Sequence, residues 1–303
     1  MSKKLIVADS RAERERKDKK ARWYVIGILT GLFLLATIWV LAAREADRGL
    51  LKVVFLDVGQ GSAAYINSPY DTEIVVDAGF GTGVLRRLSA YRPFWDRSLD
   101  YVVPTHPDAD HIGGMPELFD QFDIEHMLAT TKTADNGLYA ALVDRAESEG
   151  VSISYPTVGQ SIVFGDGVEL FFFWPESADL ESMERNTSSL VFKLAYGDVS
   201  FLFMGDAPAR VERYLARRYG PLLGSDVLVV GHHGSKTSTD PEFVAAVEPT
   251  YAVISAGADN RYGHPHEVVL ETLTAAGVHI LRTDQVGDIE FVSDGRVLEL
   301  RAK

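Results

Sequence analysis

The chain opens with one long uninterrupted apolar block and then breaks into short apolar runs punctuated by glycine. Residues 23–43 hold 21 positions without a charge, enough to cross a hydrocarbon core about 30 Å thick at about 1.5 Å per helical residue. This block predicts a transmembrane helix over 23–43, with Trp23 and Tyr24 at one interface and Trp39 near the other. A charged linker, 44–50, follows. From there the pattern is strand-like, with β-rich runs at 51–56, 73–76, 169–173, 190–195, 200–204, 227–230 and 251–254. Helical periodicity lies between several of these runs, over 137–149, 209–218, 242–247 and 268–275. Strands interleaved with helices predict an α/β domain over 51–303, its sheets covered by helices. No internal repeat or low-complexity segment interrupts it.

Charge refines this outline. The tail, residues 1–22, carries nine basic and four acidic side chains, leaving residues 23–303 at a formal −18 against −13 for the whole chain. The basic tail predicts a cytoplasmic N-terminus and an extracytoplasmic domain in the cell membrane. A cleavable signal peptide is the rival reading, but the apolar block is long for one. The acidic remainder lacks the broad basic face of proteins that hold long nucleic acid through many phosphates. With no cysteine, disulfides, thiolate zinc sites and cysteine nucleophiles are excluded, so any metal must be held by His, Asp, Glu or Asn.

One segment fits that requirement directly. Thr105-His106-Pro107-Asp108-Ala109-Asp110-His111-Ile112-Gly113-Gly114 follows the apolar run 101–103. It packs four potential ligands, His106, Asp108, Asp110 and His111, into six positions. A turn there can send two ligands to each of two neighbouring metals. Mixed imidazole and carboxylate donors suit Zn, Mn or Fe, and paired ions clamp the oxygens of a displacement reaction about 3.5–4 Å apart. A calcium loop is excluded, because Ile112 and Phe119 stand where oxygen ligands are needed. Later strand exits deliver Asp206, the pair His232-His233, and His264 with His266. Singly, Asp206 reads equally as a helix cap before Ala207-Pro208; together these exits predict one shared site.

The same segments carry a resemblance. Residues 55–61 (FLDVGQG), Val76-Asp77-Ala78-Gly79, the His106–His111 run, Asn186-Thr187-Ser188-Ser189, Met204-Gly205-Asp206, residues 232–238 (HHGSKTS), residues 260–265 (NRYGHP) and Arg282-Thr283-Asp284 resemble, in order, metallo-β-lactamase fold hydrolases. The likeness runs especially to the extracellular domain of ComEC/Rec2 DNA-uptake proteins. The resemblance implies a four-layer αββα sandwich and two divalent metals, Mn²⁺ or Zn²⁺. His106 and Asp108 would hold the first metal, Asp110 and His111 the second, with Asp206 bridging and His232 or His233 as the last imidazole. Asp57 and Asp77 would orient metal-bound histidines, or simply end their strands as turns. Asp110 would orient or deprotonate the attacking water, and His264 would protonate the leaving oxygen or stabilise phosphoryl charge. Asn186, Ser189, Ser235, Lys236 and Ser238 would bind a phosphate, with capping and turn bonding the competing reading for the hydroxyls.

The wider family places histidine where this chain has Asp108, which implies a harder, oxygen-rich site suited to phosphodiesters rather than lactams. Two departures stand out. Ser62 replaces an acidic residue usual among the relatives, and one predicted span is too few for a pore. The implied function is a membrane-anchored nuclease acting on DNA, with small phosphodiesters as the alternative substrate and a non-catalytic role in a DNA-uptake complex as another.

Overall fold

The computed structural model describes residues 9–130, 137–177 and 185–301. It divides the chain into two compact units, Met1–Arg48 and Gly49–Lys303. Residues 1–8 of the predicted basic tail, and the last two residues of the domain, lie outside the described residues.

The first unit is a helix, Asp9–Asp47, long and apolar enough over Glu13–Ile38 to cross a membrane. It extends beyond the predicted 23–43 in both directions, so residues 9–22 of the basic tail and 44–47 of the expected linker are helical. Ala, Glu, Lys and Arg are strong helix formers there, and Glu13 pairs with Lys17 one turn on at 3.1 Å.

The second unit is a two-sheet sandwich. One sheet has eight strands in the order Leu298–Arg301, Ile289–Ser293, Leu51–Phe55, Ala64–Asn67, Glu73–Val76, Ser98–Val103, Asp123–Leu128 and Ser152–Ser154. The other has seven, in the order His279–Arg282, Tyr251–Ile254, Val227–Val229, Val199–Phe203, Val191–Tyr196, Glu169–Trp174 and Ser161–Val163. Alternation along the strands sends one set of side chains between the sheets, where Phe55, Phe172, Phe192, Phe201 and Phe291 meet. The other set faces outward onto helices. Val54, Val75 and Val102 pack with Met115, Leu118 and Leu142 on one side. On the other, Leu202, Leu228 and Ala252 pack with Val211, Leu215 and Phe243. The helices Ala209–Tyr219, Pro241–Val247 and Glu267–Ala275 fall within one residue of the sequence expectation.

Strand direction positions the site. Leu51–Phe55, Glu73–Val76 and Ser98–Val103 run the same way, because the first two are each antiparallel to Ala64–Asn67 and the third is parallel to the second. In the other sheet, Val199–Phe203, Val227–Val229 and Tyr251–Ile254 are parallel. Asp57, Asp77 and the His106–His111 loop leave the first group of strands; Asp206, His232-His233 and Ser255 leave the second.

Candidate metal centre

The loop after Val103 turns immediately into a one-turn helix, Ala109–Ile112, with Asp108 preceding it in extended conformation. His106 and His111 are fully buried, while Asp108 and Asp110 remain partly exposed. Asp206 enters from the opposite sheet and reaches both histidines: Oδ2 lies 3.6 Å from His106 Nε2 and Oδ1 lies 3.1 Å from His111 Nε2. Gly205 makes this approach possible. It adopts φ +51°, and a Cβ there would lie 2.9 Å from Ser189 Cβ.

Two overlapping donor clusters result, His106 with His111 and Asp206, and Asp110 with His111 and His233. Asp108 Oδ2 is 3.7 Å from His106 Nε2 at the edge of the first. In the second, His233 Nε2 stands 3.2 Å from Asp110 Oδ2 and 3.2 Å from His111 Nε2. His232 and His233 occupy consecutive left-handed conformations, φ 52° and 53°, which are strained for residues bearing a Cβ. That kink turns the two rings to different sides of Asp206. His232 Nε2 lies 3.7 Å from Asp206 Oδ2, whereas His233 lies with Asp110. Both histidines therefore border the centre.

The imidazoles are oriented from behind. Asp77 accepts from Thr105 N at 2.8 Å and Thr105 Oγ1 at 2.9 Å, and its Oδ2 lies 2.7 Å from His111 Nδ1. His233 Nδ1 donates to the Ser255 carbonyl at 2.9 Å. With each Nδ1 engaged, the Nε2 atoms are left to face the centre.

Charge follows from this crowding. Burial works to lower the His111 pKa, but the Asp206 and Asp77 carboxylates outweigh it and hold it well above the ordinary imidazole range. Burial likewise opposes ionisation of Asp206, and His111, His233 and His106 overcome it, keeping the carboxyl well below the usual range. Burial, then the charge of His111, pushes His106 down to about 4. Asp110, despite burial, falls to about 2 through its hydrogen bond to His233 and the charge of His111.

The donor set fits divalent metal. His106 Nε2 is buried without a hydrogen-bond partner, an arrangement costly unless something binds there. A small cavity of about 20 Å³ is bordered by Ser62, Asp77, His111, Asp206, His233 and Ser255.

Other expected site residues are placed differently. Asp57 does not reach a histidine; its carboxylate pairs with Arg87 at 2.6 Å, because the helix Gly83–Leu88 brings that guanidinium onto the strand end. Ser189 is buried and accepts from the Asp206 backbone at 3.0 Å. Ser238 is buried and closes the histidine turn onto the Gly231 and Ser235 carbonyls, while Ser235 bonds Thr237 at 3.0 Å. These three hydroxyls bond within the loops, as the turn-building reading of them expects. Asn186, 3.4 Å from His232 Nδ1, and exposed Lys236 remain accessible. Burial, then the neighbouring His233, His232 and His266 rings, pushes His264 down to about 4. That lowering disfavours the imidazolium form and leaves the neutral ring's N–H as a hydrogen-bond donor. Sequence reasoning also passed over Arg185, 3.4 Å from Asp108, and Thr105, which links Asp77 to the loop; only the adjacency of Thr105 to His106 signalled the latter.

Residues 56–258 match the family model of the Metallo-beta-lactamase superfamily. The chain belongs to this superfamily. Among superfamily relatives, it is 30% identical over 288 residues to ComE operon protein 3 of Bacillus subtilis, covering 89% of this chain and 36% of the relative. It is 33% identical over 244 residues to Competence protein ComA of Neisseria gonorrhoeae, covering 79% and 32%. The chain thus spans about a third of the length of the curated relatives it matches. Two solved structures align with TM-scores just above one half. The metallo hydrolase Igni18 of Ignicoccus hospitalis aligns at 0.52 with 13% identity, over 80% of this chain and 98% of that one. Zn(2+)-bound PqqB of Methylobacterium extorquens aligns at 0.51 with 13% identity, over 76% and 97%. This metallo-hydrolase fold binds divalent metals, mainly zinc.

Proposed function

We propose that residues 49–303 form a metal-dependent phosphodiester hydrolase, with DNA as substrate, held on the extracytoplasmic side of a membrane by the N-terminal helix. The observation that carries this reading is Asp206, whose two oxygens lie against separate imidazoles, His106 and His111, the second of which also belongs to the adjoining donor cluster of Asp110 and His233. His106, Asp108 and Asp206, with His232 beside them, would hold one cation; Asp110, His111, His233 and Asp206 would hold the other, Mn²⁺ or Zn²⁺. Such a pair, when bound, supplies Lewis acidity to the phosphoryl group and acidifies an attacking water.

The side chains divide the remaining work. Asp110, held to about 2, is too acidic to serve as an effective base near neutrality, so it ligates and orients. Asp77 and the Ser255 carbonyl fix the tautomers of His111 and His233. Asn186, Lys236 and Arg185 stand at the exposed rim, where a non-bridging phosphate oxygen and its charge need partners. The relatives' competence names support DNA as the substrate and a DNA-uptake complex as the setting. The formal −18 of residues 23–303 favours a second reading, hydrolysis of small phosphodiesters, which need no extended basic track.

Metal analysis followed by incubation with single-stranded DNA, double-stranded DNA and bis-p-nitrophenyl phosphate separates these. Cleavage of DNA by the metal-loaded protein, abolished in Asp110→Ala, is the expected result. Activity on the small ester alone would select the second reading. Failure to bind either Mn²⁺ or Zn²⁺ would reject both.

A further inference from the structure

The edge of the eight-stranded sheet opposite the metal centre carries an exposed aromatic group that the proposed hydrolysis does not use. Outside the N-terminal helix, Phe94 is the most exposed large apolar side chain among the described residues, at 86%, and Trp95 beside it is 57% exposed. Their rings meet edge to face at 5.0 Å. Tyr70, 68% exposed, sits on the turn between Ala64–Asn67 and Glu73–Val76. Exposed aromatics of this size are uncommon on a free soluble surface.

Strand direction puts all three on one edge. Ser98–Val103 ends at the metal loop, so Phe94 and Trp95, just before its start, lie at the far end. Ala64–Asn67 runs antiparallel to Leu51–Phe55 and ends at that same far edge. The strands concerned are successive neighbours in the sheet, so at about 4.8 Å between strands the aromatic group spans about 10 Å.

The chain also enters the domain at this edge. Leu51 begins its strand there, and Gly49 N donates to the Pro69 carbonyl beside Tyr70 at 3.2 Å. Only Arg48, Gly49 and Leu50 separate Asp47, the end of the N-terminal helix, from Leu51. Those four steps reach about 14 Å at most. If the helix crosses a membrane, this edge is tethered close to the lipid surface.

We propose that Tyr70, Phe94 and Trp95 form a membrane-interface contact, a second attachment of the domain to the bilayer beside its covalent one. Tyr and Trp combine an apolar ring with a polar tip and settle at the headgroup level. The charges around them select the lipid. Asp71, Asp96, Asp123 and Asp166 stand at this edge against Arg48 and Arg97, so the fit is to a zwitterionic surface rather than an anionic one.

The absence of native cysteine allows a direct test in the full chain. Asp123→Cys, on the aromatic edge, and Val286→Cys, on the exposed turn beyond the opposite edge, are labelled singly with a fluorophore. Each protein is placed in phosphatidylcholine nanodiscs carrying a headgroup nitroxide. The label at 123 should be quenched about threefold more than that at 286, as befits headgroup depth. Adding Phe94→Ser and Trp95→Ser, with folding checked by thermal melting, should bring the two to the same level. Replacing half the lipid by phosphatidylglycerol should weaken quenching at 123. Equal quenching at both sites in the unsubstituted chain, no effect of the double substitution, stronger quenching on the anionic surface, or failure of the chain to enter the discs would each overturn the proposal. None of these outcomes depends on hydrolytic activity.

Discussion

Asp77 touches no expected phosphate position, yet it takes hydrogen bonds from Thr105 and His111 together. Replacing it with Asn offers His111 Nδ1 an amide that can turn its donor face toward the ring, removing the force that keeps Nε2 aimed at the centre. Loss of such an orienting carboxylate costs about 10–100-fold in metal affinity. Asp77→Asn should therefore weaken Mn²⁺ or Zn²⁺ binding by that factor in isothermal titration, and unchanged affinity would refute the orienting role. Asp206→Ala tests something different. Removing the carboxylate proposed to bridge the two cations should reduce bound metal, measured by elemental analysis, from a pair to at most one ion. Full retention of a pair would show that Asp206 does not bridge. Much of this residue-level picture was legible in the sequence, since the ligand types cluster after strands. For Asp57 two readings stood open, a histidine partner or a strand-end turn, because a strand-end aspartate looks the same in either case; here it accepts from Gly59 N and pairs with an arginine from a helix 30 residues on.

The helix Ala209–Tyr219 follows Asp206 directly and ties the site to the loop before Pro241–Val247. Its Glu212 is buried and accepts from Thr239 N at 2.9 Å and Asp240 N at 2.7 Å. Burial raises its pKa to about 7, with the two backbone donors opposing that rise. A carboxyl whose folded pKa exceeds its unfolded value stabilises most below the unfolded value, near 4.5, and loses that contribution as pH rises through about 7. The loss amounts to about 3 kcal/mol, an order-of-magnitude figure. Glu212→Gln should melt below the native protein at pH 5 and close that gap by pH 8; a gap independent of pH would reject the assignment. The periodicity of this helix is plain in the sequence, and its bounds were predicted to within a residue. The register of Glu212 against residues 239 and 240 was not, because no local pattern encodes a contact 27 positions away. For the same reason the N-terminal helix was recognised by its apolar block while its charged extensions were read as tail and linker.

At the scale of the molecule, the two units pose separate questions. The Gly49–Lys303 unit contains its own core and every donor of the metal centre. A fragment of residues 49–303 should therefore fold without the helix, bind metal as the full chain does and retain its hydrolytic activity in solution. Comparison of melting curves and turnover for the two proteins checks this, and a fragment that folds but loses metal would refute it. The sandwich itself was foreseeable from interleaved strands and helices together with the ordered motifs. Sheet order was not, since Ile289–Ser293 pairs with Leu51–Phe55 from the far end of the chain.

That His106 and His111 hang from one sheet and Asp206 and His233 from the other has a consequence for assembly. The centre exists only after the two halves of the sandwich have closed, so a cation bound there acts as a clasp across the seam. Occupancy adds to stability by mass action, about 2.7 kcal/mol at a hundredfold excess over the dissociation constant. Chelation of such a cation should then let the two sheets part at a lower temperature.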